Sequence, residues 1–485
     1  MTLATDTNSP MDAGSGADSD GAVNLSGAQV HFVGIGGCGM SGLARMARAR
    51  GARCDGTDQA PGAPIDQLRQ DGIEVRLEQS AGCVPDDCDM LVISAAIRDE
   101  HPEVVEARRR GVPVLKYAQL LGRLMLDQTG VAIAGTHGKS TTCSLLSHVL
   151  IQCGLDPSLI VGAQCPQIGG GWRVGARDLL VAEACEFDRS FLNLNPTHAV
   201  ILNIEEDHLD IYRDLGEIVD AFASFARRLP GRGSLLVNHE MPHRLAVTAG
   251  LDCAVETIGF APQADWRVEL DETPGAPRAR LHDASGTVCT WQCPIPGEHM
   301  AYNAAAAAVT AHRLGAAWTD VGAALETFAG LERRMQPLGH RDLPSGRLTV
   351  VDDYGHHPTE IDTTLRALRR HARPKRLICV FQPHQHSRTR FLMEHFAVSF
   401  SAADVVIVPH IYFVRDPKKE QHTVSSRDLV DRLRQRGITA MHLYPFEAIV
   451  EQLELIARDG DLLVTMGAGD VWKVAEGFLG AKREN

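Results

Sequence analysis

A phosphate-binding turn is the strongest chemical signal in the chain. The apolar run Val131–Ala134 is typical of a buried strand, and Cys143–Leu150 has the pattern of a helix. A strand that turns sharply into a helix directs backbone N–H groups and the positive end of the helix dipole at one point. We therefore expect the turn to bind phosphate, with Lys139 as its mobile cation and Ser140 as a Mg²⁺ ligand. Its residues are Gly135, Thr136, His137, Gly138, Lys139, Ser140 and Thr141.

This turn is a shortened relative of the strict P-loop. The strict pattern has a glycine five residues before Gly138, but Ile133 stands there. The order of strand, glycines, Lys-Ser and helix is nevertheless the order that phosphate binding requires. The alternative is an ordinary strand–helix turn with an exposed lysine.

A second glycine-rich loop lies near the amino terminus. Gly34, Gly36 and Gly39 follow the apolar run Val30–Val33 and fit the pattern G-x-G-x-x-G. We expect a helix from about Leu43 to Arg50, and then a second strand that ends near Asp58. A dinucleotide site would place its ribose-binding acid about there. The loop therefore predicts a nucleotide diphosphate site, with a structural tight turn as the alternative.

Acidic residues and a histidine follow two further strands of the central region. Glu183 ends the apolar run Asp178–Ala182, and His208 lies beyond His198–Ile204 within Asp207–Asp210. Carboxylates at the end of a strand beside a P-loop can hold Mg²⁺ directly or through water. A solvated acidic loop is the alternative for Asp207–Asp210. Taken alone, Asn303 is predicted to cap the alanine-rich helix that follows Gly297.

Two polar clusters follow strands in the last third of the chain. Strands are expected at Leu348–Val351, Leu377–Phe381, Val405–Val408 and Leu462–Met466. Asp353 and His356 come after the first of them, and Arg388 after the second. Open α/β sheets bind ligands at the carboxyl ends of their strands, so we expect both clusters to belong to a site. Exposed histidine and arginine loops are the alternative.

Length and composition predict a globular α/β protein of about three domains. The chain has 485 residues, of which 44% are hydrophobic and 22% charged. A net charge of −13 argues against a nucleic-acid surface, and the apolar runs are too short to span a membrane. Residues 1–27 lack lysine and arginine and are expected to be a disordered tail. Asp265–Pro294 alternates like a small antiparallel element beside a parallel sheet.

Together these motifs resemble the Mur ligases, ATP-dependent amide-forming enzymes of bacterial cell-wall synthesis. The resemblance covers nearly the whole chain after the tail. It implies a Rossmann-like UDP-sugar domain at 28–127, a P-loop ATP domain at 128–336 and a Rossmann-like amino-acid domain at 337–485. The motifs occur in the family's order: Gly34–Gly42, Gly135–Thr141, Glu183–Phe191, Asp207–Asp210, His299 with Asn303, Arg333–Gln336, Asp352–Glu360 and Phe381–Arg390.

The resemblance also implies roles for single residues. Lys139 would hold the ATP phosphates and Arg334 the γ-phosphate, while Asp353 would contact the ribose. His299 and Asn303 would face adenine, and His356 and Arg388 would approach the amino acid. Mg²⁺ would bind Ser140, Glu183 and His208. The UDP-sugar would contact the first glycine loop and its neighbours: Gly34, Gly36, Gly37, Gly39, Met40, Ser41, Asp58 and Ser94.

Within the family, the short passage Phe191–Pro196 favours the branch that joins L-alanine to UDP-N-acetylmuramate. The branch that recycles cell-wall tripeptides has a longer basic insertion there. The resemblance further implies a bacterial cytoplasmic protein that could form a homodimer. Two rivals come from other classes. One is an NAD-dependent dehydrogenase built on the first glycine loop, and the other is an ATP-binding sensor.

The chain departs from the family pattern at three places. Cys185 stands where the family commonly has an aspartate, and it could make the ATP site sensitive to thiol reagents or be an inert cysteine. Gln385 stands where related ligases commonly have an arginine, which leaves Arg388 as the expected partner of the amino-acid carboxylate. No lysine lies between Lys139 and Lys375, so the carbamylated lysine of several Mur ligases has no counterpart.

Overall fold

The computed structural model describes residues 21, 23–273, 275, 277–344 and 346–480. Three β-sheets with helices packed against them follow one another along the chain. Most of the expected tail, residues 1–20 and 22, lies outside the described residues. Within the described part, no helix is long and apolar enough to cross a membrane.

The first sheet has five parallel strands in the order β3-β2-β1-β4-β5. The strand order reverses between β1 and β4, and open α/β sheets of this kind bind ligands at such a switch point. The elements are β1 Gln29–Val33, α1 Cys38–Ala49, β2 Arg53–Thr57, α2 Ala63–Gln70, β3 Glu74–Arg76, β4 Met90–Ile93, α3 Pro102–Arg109, β5 Val114–Lys116 and α4 Tyr117–Met125.

The central sheet has ten strands in the order β15-β14-β13-β12-β11-β10-β6-β9-β7-β8. Six neighbouring strands run parallel to one another, in the order β12-β11-β10-β6-β9-β7. Strands β13–β15 form the antiparallel element expected from Asp265–Pro294. The elements are β6 Thr129–Ala134, α5 Lys139–Gln152, β7 Ser158–Ile160, β8 Trp172–Arg173, β9 Leu179–Ala184, β10 His198–Ile201, α6 Leu215–Ala226, β11 Ser234–Asn238, α7 Arg244–Thr248, β12 Ala254–Gly259, β13 Trp266–Asp271, β14 Arg278–Asp283, β15 Gly286–Gln292, α8 Glu298–Arg313 and α9 Trp318–Glu326.

The third sheet has six strands in the order β16-β17-β21-β18-β19-β20, of which only β16 is antiparallel to its neighbour. The elements are β16 Gln336–Leu343, β17 Gly346–Asp353, α10 Pro358–Ala372, β18 Arg376–Phe381, α11 His386–Phe391, α12 Met393–Ser399, β19 Val405–Val408, α13 Ser426–Gln435, β20 Thr439–His442, α14 Phe446–Ile456, β21 Asp461–Met466 and α15 Trp472–Leu479.

The helix after the first glycine loop begins at Cys38, so the expected start at about Leu43 is wrong. Glycines disfavour a helix interior, but here close packing requires them. A Cβ at Gly39 would lie 3.0 Å from the Tyr117 ring, and one at Gly42 would lie 2.8 Å from Cβ of Trp172. Tertiary contact thus extends α1 through a stretch whose composition predicts a loop.

Candidate active site

The phosphate-binding turn joins β6 to α5 with the geometry that its glycines predict. Gly135 has φ of +141° and Gly138 has φ of +84°, conformations that side chains with a Cβ rarely adopt. A Cβ at Gly138 would also lie 2.8 Å from Oδ1 of Asn303. The His137 N–H donates to Oδ1 of Asn203 at 2.7 Å, which pins the turn to the end of β10. The N-terminus of α5 faces a cleft that Gly138, Lys139 and Ser140 line.

Lys139 lies in this cleft paired with an acid. Its Nζ donates to both carboxylate oxygens of Glu186, at 2.8 and 3.1 Å, and to the Thr136 carbonyl at 3.1 Å. Glu186 is buried, and Nε2 of His208 lies 3.7 Å from its Oε1. Burial lowers the pKa of His208, so its imidazole is neutral at pH 7 and can act as a metal ligand.

Of the three residues expected to bind Mg²⁺, two line one cleft and the third lines a neighbouring cleft. Ser140 and His208 line the same cleft of about 1050 Å³. The Nδ1 atom of His208 is buried without a hydrogen-bond partner within the described residues. Glu183 ends β9 and accepts a hydrogen bond from the Gly162 N–H at 2.6 Å, and it lines the neighbouring cleft.

A second cavity, of about 720 Å³, lies beside the turn and contains the residues expected to hold adenosine. Asn303 is in the interior of α8 and Gly297 precedes the helix, so the interpretation of Asn303 as a cap is wrong. The pKa of His299 is lowered to about 4, chiefly by burial and secondarily by the charge of the Arg334 guanidinium. Asp353 accepts backbone N–H bonds from Met335 and Gly355, at 2.8 and 2.7 Å, while burial raises its pKa to about 6.

Glu360 connects the third sheet to the phosphate-binding turn. Its carboxylate lies 3.5 Å from Nη1 of Arg334 and 3.3 Å from Nδ1 of His137. Its Oε2 accepts the backbone N–H of His356 at 2.9 Å. Burial, followed by the charge of Arg388, lowers the pKa of His356 to about 3. The His356 imidazole is therefore neutral and a weak base at pH 7.

Arg388 lies in the same region but is committed to an acid of the central domain. Its Nε donates to Oδ1 of Asp207 at 3.0 Å, and Nη2 donates to the same oxygen at 2.5 Å. Both side chains are buried. Arg415 lines the cleft that contains the phosphate-binding turn, and its guanidinium carbon lies 4.6 Å from the centre of the Phe187 ring. Among the described residues no carboxylate lies within salt-bridge distance of Arg415.

The first glycine loop lines a third cleft, of about 1070 Å³, between the first and second sheets. Asp58 accepts the Gly36 N–H at 2.8 Å, so it braces the loop directly. Gly34 has φ of +76°, and a Cβ there would also lie 2.8 Å from Oγ of Ser94, so this position requires glycine. Ser41 is buried in α1. The cleft is lined by Gly37, Gly39, Met40, Ser94, Tyr117, Glu183 and Cys185.

Comparison with known families accounts for all three parts of the chain. Residues 29–129 match the model described as "Mur ligase family, catalytic domain", residues 133–311 the "Mur ligase middle domain", and residues 333–469 the "Mur ligase, glutamate ligase domain". The chain belongs to the Mur ligase family. The three-domain α/β architecture and the resemblance noted in the sequence are thereby confirmed.

Individual relatives are similar to this Mur ligase over nearly its full length. A UDP-N-acetylmuramate–L-alanine ligase of Clostridium novyi is 40% identical over 94% of this chain and 98% of its own. One of Xanthomonas campestris is also 40% identical, over 93% and 96%. The solved UDP-N-acetylmuramate–alanine ligase of Thermotoga maritima superposes with a TM-score of 0.75, 25% identity, and coverage of 93% and 98%.

The sequence predicts either no role or a different role for several residues of this Mur ligase site. Glu186 and Glu360 lie within recognised motifs, but only the fold shows that they pair with Lys139 and Arg334. Asp207 was expected among acids near a metal, whereas the structure pairs it with Arg388. Arg415 belongs to no motif that we identified. Its only sequence signal is its position shortly after the strand Val405–Val408.

Proposed function

We propose that the protein joins L-alanine to the carboxylate of UDP-N-acetylmuramate with hydrolysis of ATP to ADP and phosphate. The observation that carries the proposal is one cleft in which the phosphate-binding turn and Arg334 of the second domain face His356 of the third. Relatives that share 40% identity over nearly the whole chain bear the name of this ligase. The domain limits 28–127, 128–336 and 337–485 remain part of the proposal.

In the first step, the muramyl carboxylate attacks the γ-phosphate of ATP and forms an acyl phosphate and ADP. Lys139 and the N–H groups of its turn bind the phosphates, and Arg334 neutralises charge on the transferred group. For Lys139 to do this, part of its interaction with Glu186 must be exchanged for phosphate oxygens. His299, Asn303 and Asp353 would hold the adenosine end in the 720 Å³ cavity.

Ser140, Glu183 and His208 are the residues that would hold Mg²⁺. The Ser140 hydroxyl and the Glu183 carboxylate are oxygen ligands of the kind that Mg²⁺ prefers. The unpartnered, buried Nδ1 of His208, in the same cleft as Ser140, would meet the ion directly or through one of its waters. When bound, Mg²⁺ would neutralise charge on the phosphates of ATP. With no lysine between Lys139 and Lys375, this chain would bind any second ion without a carbamate.

In the second step, the amine of alanine attacks the acyl phosphate and phosphate leaves from a tetrahedral intermediate. His356 would approach the amine as a neutral hydrogen-bonding group, since a pKa of about 3 makes it a poor general base. Arg388 would lie near the carboxylate of the amino acid, beside its partner Asp207. The UDP pyrophosphate would bind at the loop Gly34–Gly39, in the cleft that also contains Glu183.

The test is release of phosphate from ATP in the presence of UDP-N-acetylmuramate and each amino acid in turn. We expect release with L-alanine, weaker release with glycine or L-serine, and almost none without an amino acid. Robust use of a preformed tripeptide with little use of alanine would assign the protein to the recycling branch. ATP binding without amino-acid-dependent release would favour a sensor. A homodimer and a bacterial cytoplasmic location remain predictions from the resemblance.

A further inference from the structure

The interface between the second and third domains contains two histidines and a carboxylate that no step of the proposed reaction uses together. His137 precedes Gly138 in the phosphate-binding turn, and Glu205 follows β10, so both belong to the second domain. His357 precedes α10 of the third domain. One ligand atom from each of the three lies within 4.8 Å of the other two.

The distances within this cluster, together with one free imidazole nitrogen, suit a metal ion. Nε2 of His137 lies 3.6 Å from Oε2 of Glu205, and Nδ1 of His357 lies 3.9 Å from the same oxygen. Nε2 of His137 is buried without a hydrogen-bond partner among the described residues. Tetrahedral bonds of about 2.0–2.2 Å place neighbouring ligand atoms at comparable separations. A small inward movement of the side chains would complete the three bonds.

The second nitrogen of each imidazole is already oriented as metal sites require. Nδ1 of His137 lies 3.3 Å from Oε1 of Glu360, and Nε2 of His357 lies 3.1 Å from the Glu206 carbonyl oxygen. Histidines that bind metals usually donate their outer N–H to a carboxylate or a carbonyl, which fixes the tautomer and ring direction. Both acceptors are present here. Each one holds its imidazole so that the other ring nitrogen is directed toward Glu205.

We propose that His137, Glu205 and His357 form a transition-metal site that links the second domain to the third. Two imidazole nitrogens and one carboxylate oxygen match the ligands of Zn²⁺, and they differ from the oxygen-rich set that Mg²⁺ prefers. Because the ligands come from both domains, the bound ion holds the two together. The site does not depend on the proposed ligase activity, since binding and protection can be measured without turnover.

The histidine at the start of α10 allows a specific variant. Nδ1 of His357, the atom that would bind the ion, accepts the Thr359 N–H at 3.3 Å and caps the helix, so the ion would replace this hydrogen bond. Asparagine is a good N-cap but offers no imidazole, so His357→Asn should keep the helix and lose a metal ligand. His371→Asn, near the other end of the same helix, is the matched control. Glu205→Gln removes a second ligand and serves if His357→Asn fails to fold by circular dichroism.

The first measurement is metal binding by the full chain, with Zn²⁺ by competition against a chelator and with Co²⁺ by absorption. We expect one site in the wild type and in His371→Asn, with Co²⁺ d–d bands and no thiolate charge-transfer band. Binding should be at least about tenfold weaker in His357→Asn and Glu205→Gln. Equal binding in all four proteins, or a spectrum of cysteine ligation, would overturn the site.

The second measurement is hydrogen exchange with and without Zn²⁺. The ion should slow exchange both around Glu205 and at the start of α10, in the wild type and not in His357→Asn. Protection of only one of these segments would show that the metal does not link the domains. Failure of either measurement would leave the ligase assay unaffected, and failure of the ligase assay would leave the metal site standing.

Discussion

At the scale of single residues, the sequence predicts which groups carry charge but not how those groups are paired. The order of strand, glycines and Lys-Ser was sufficient to locate Lys139 at the N-terminus of α5. The partner Glu186 could not be inferred, because residues 47 positions apart meet only through the parallel pairing of β6 with β9. The pair formed by Arg388 and Asp207 is hidden because its members lie 181 positions apart and meet only where two domains come together.

Replacing Lys139 by alanine should lower kcat by about 10²–10³-fold, because it removes the cation at the transferred phosphoryl group. The change also leaves the Glu186 carboxylate buried without its lysine partner, which should destabilise the fold by about 3–5 kcal/mol. The double variant Lys139→Ala/Glu186→Gln separates the two effects. It should recover thermal stability without recovering phosphate release. Near-normal turnover of a folded Lys139→Ala protein would refute the role.

Cys185 should react slowly with alkylating agents, although it lies at the surface of a cleft. The surrounding protein, and then the Glu186 carboxylate, raise the pKa of the thiol to about 11. At pH 7.5 its thiolate fraction is then about two orders of magnitude below that of an ordinary cysteine. Iodoacetamide labelling followed by peptide mass spectrometry measures the rate, with Cys185→Ser to assign the peptide. Labelling as fast as that of a free thiol would contradict this environment.

At the scale of elements, strands were easier to predict than the ends of helices. Buried parallel strands are continuous apolar runs, so Val405–Val408 was predicted with its observed limits. Strand β16 was missed, because it is an edge strand with polar residues on both faces and its first residues looked like a domain boundary. The start of α1 depends on contacts with Tyr117 and Trp172 that composition does not reveal.

A buried charge network joins β1, β2 and α3 and should make stability depend on pH. His31 is fully buried, with Nδ1 3.0 Å from Asp55 and Nε2 2.7 Å from Glu103. Burial alone would lower the pKa of His31, but the two carboxylates outweigh it and raise it to about 9. The stabilisation is complete below the unfolded pKa of about 6.5 and is lost as pH rises through about 9.

Thermal unfolding followed from pH 6.5 to 9.5 tests this network. The wild type should lose stability across that window, and His31→Gln should show a flatter dependence together with a lower Tm at pH 6.5. The exposed His395→Gln variant is the control and should follow the wild type. A wild-type profile that rises with pH, or one unchanged by His31→Gln, would refute the contribution of His31.

At the scale of the whole molecule, the three domains are joined by different kinds of contact. The first two sheets share one apolar core, in which Leu124 and Phe191 take part. The third domain has its own cores, against which Ile295 of the second domain packs, and it also meets the second domain through polar contacts. These include the pairs of Asp207 with Arg388 and of Glu205 with Thr359. Polar interfaces between domains separate more easily than apolar ones, so the third domain is the part expected to move.

The pair of Arg388 with Asp207 should therefore control the position of the third domain. Although burial would raise the pKa of Asp207, the Arg388 guanidinium holds it well below its usual range. Removing one partner of such a buried pair costs about 3–5 kcal/mol of stability, because the remaining charge is buried without a partner. A loss of this size should weaken the contact between the two domains. We expect Arg388→Ala to enlarge the radius of gyration in small-angle X-ray scattering and to lower kcat.

Asp207→Asn distinguishes this positioning role from direct contact between Arg388 and the alanine carboxylate. If the pair holds the domains together, both variants should expand the molecule and lower kcat, and neither should act chiefly on the KM for alanine. If Arg388 binds the substrate instead, Arg388→Ala should raise that KM at an unchanged radius of gyration. Asp207→Asn should then leave the KM near the wild-type value, because the guanidinium remains available to the carboxylate.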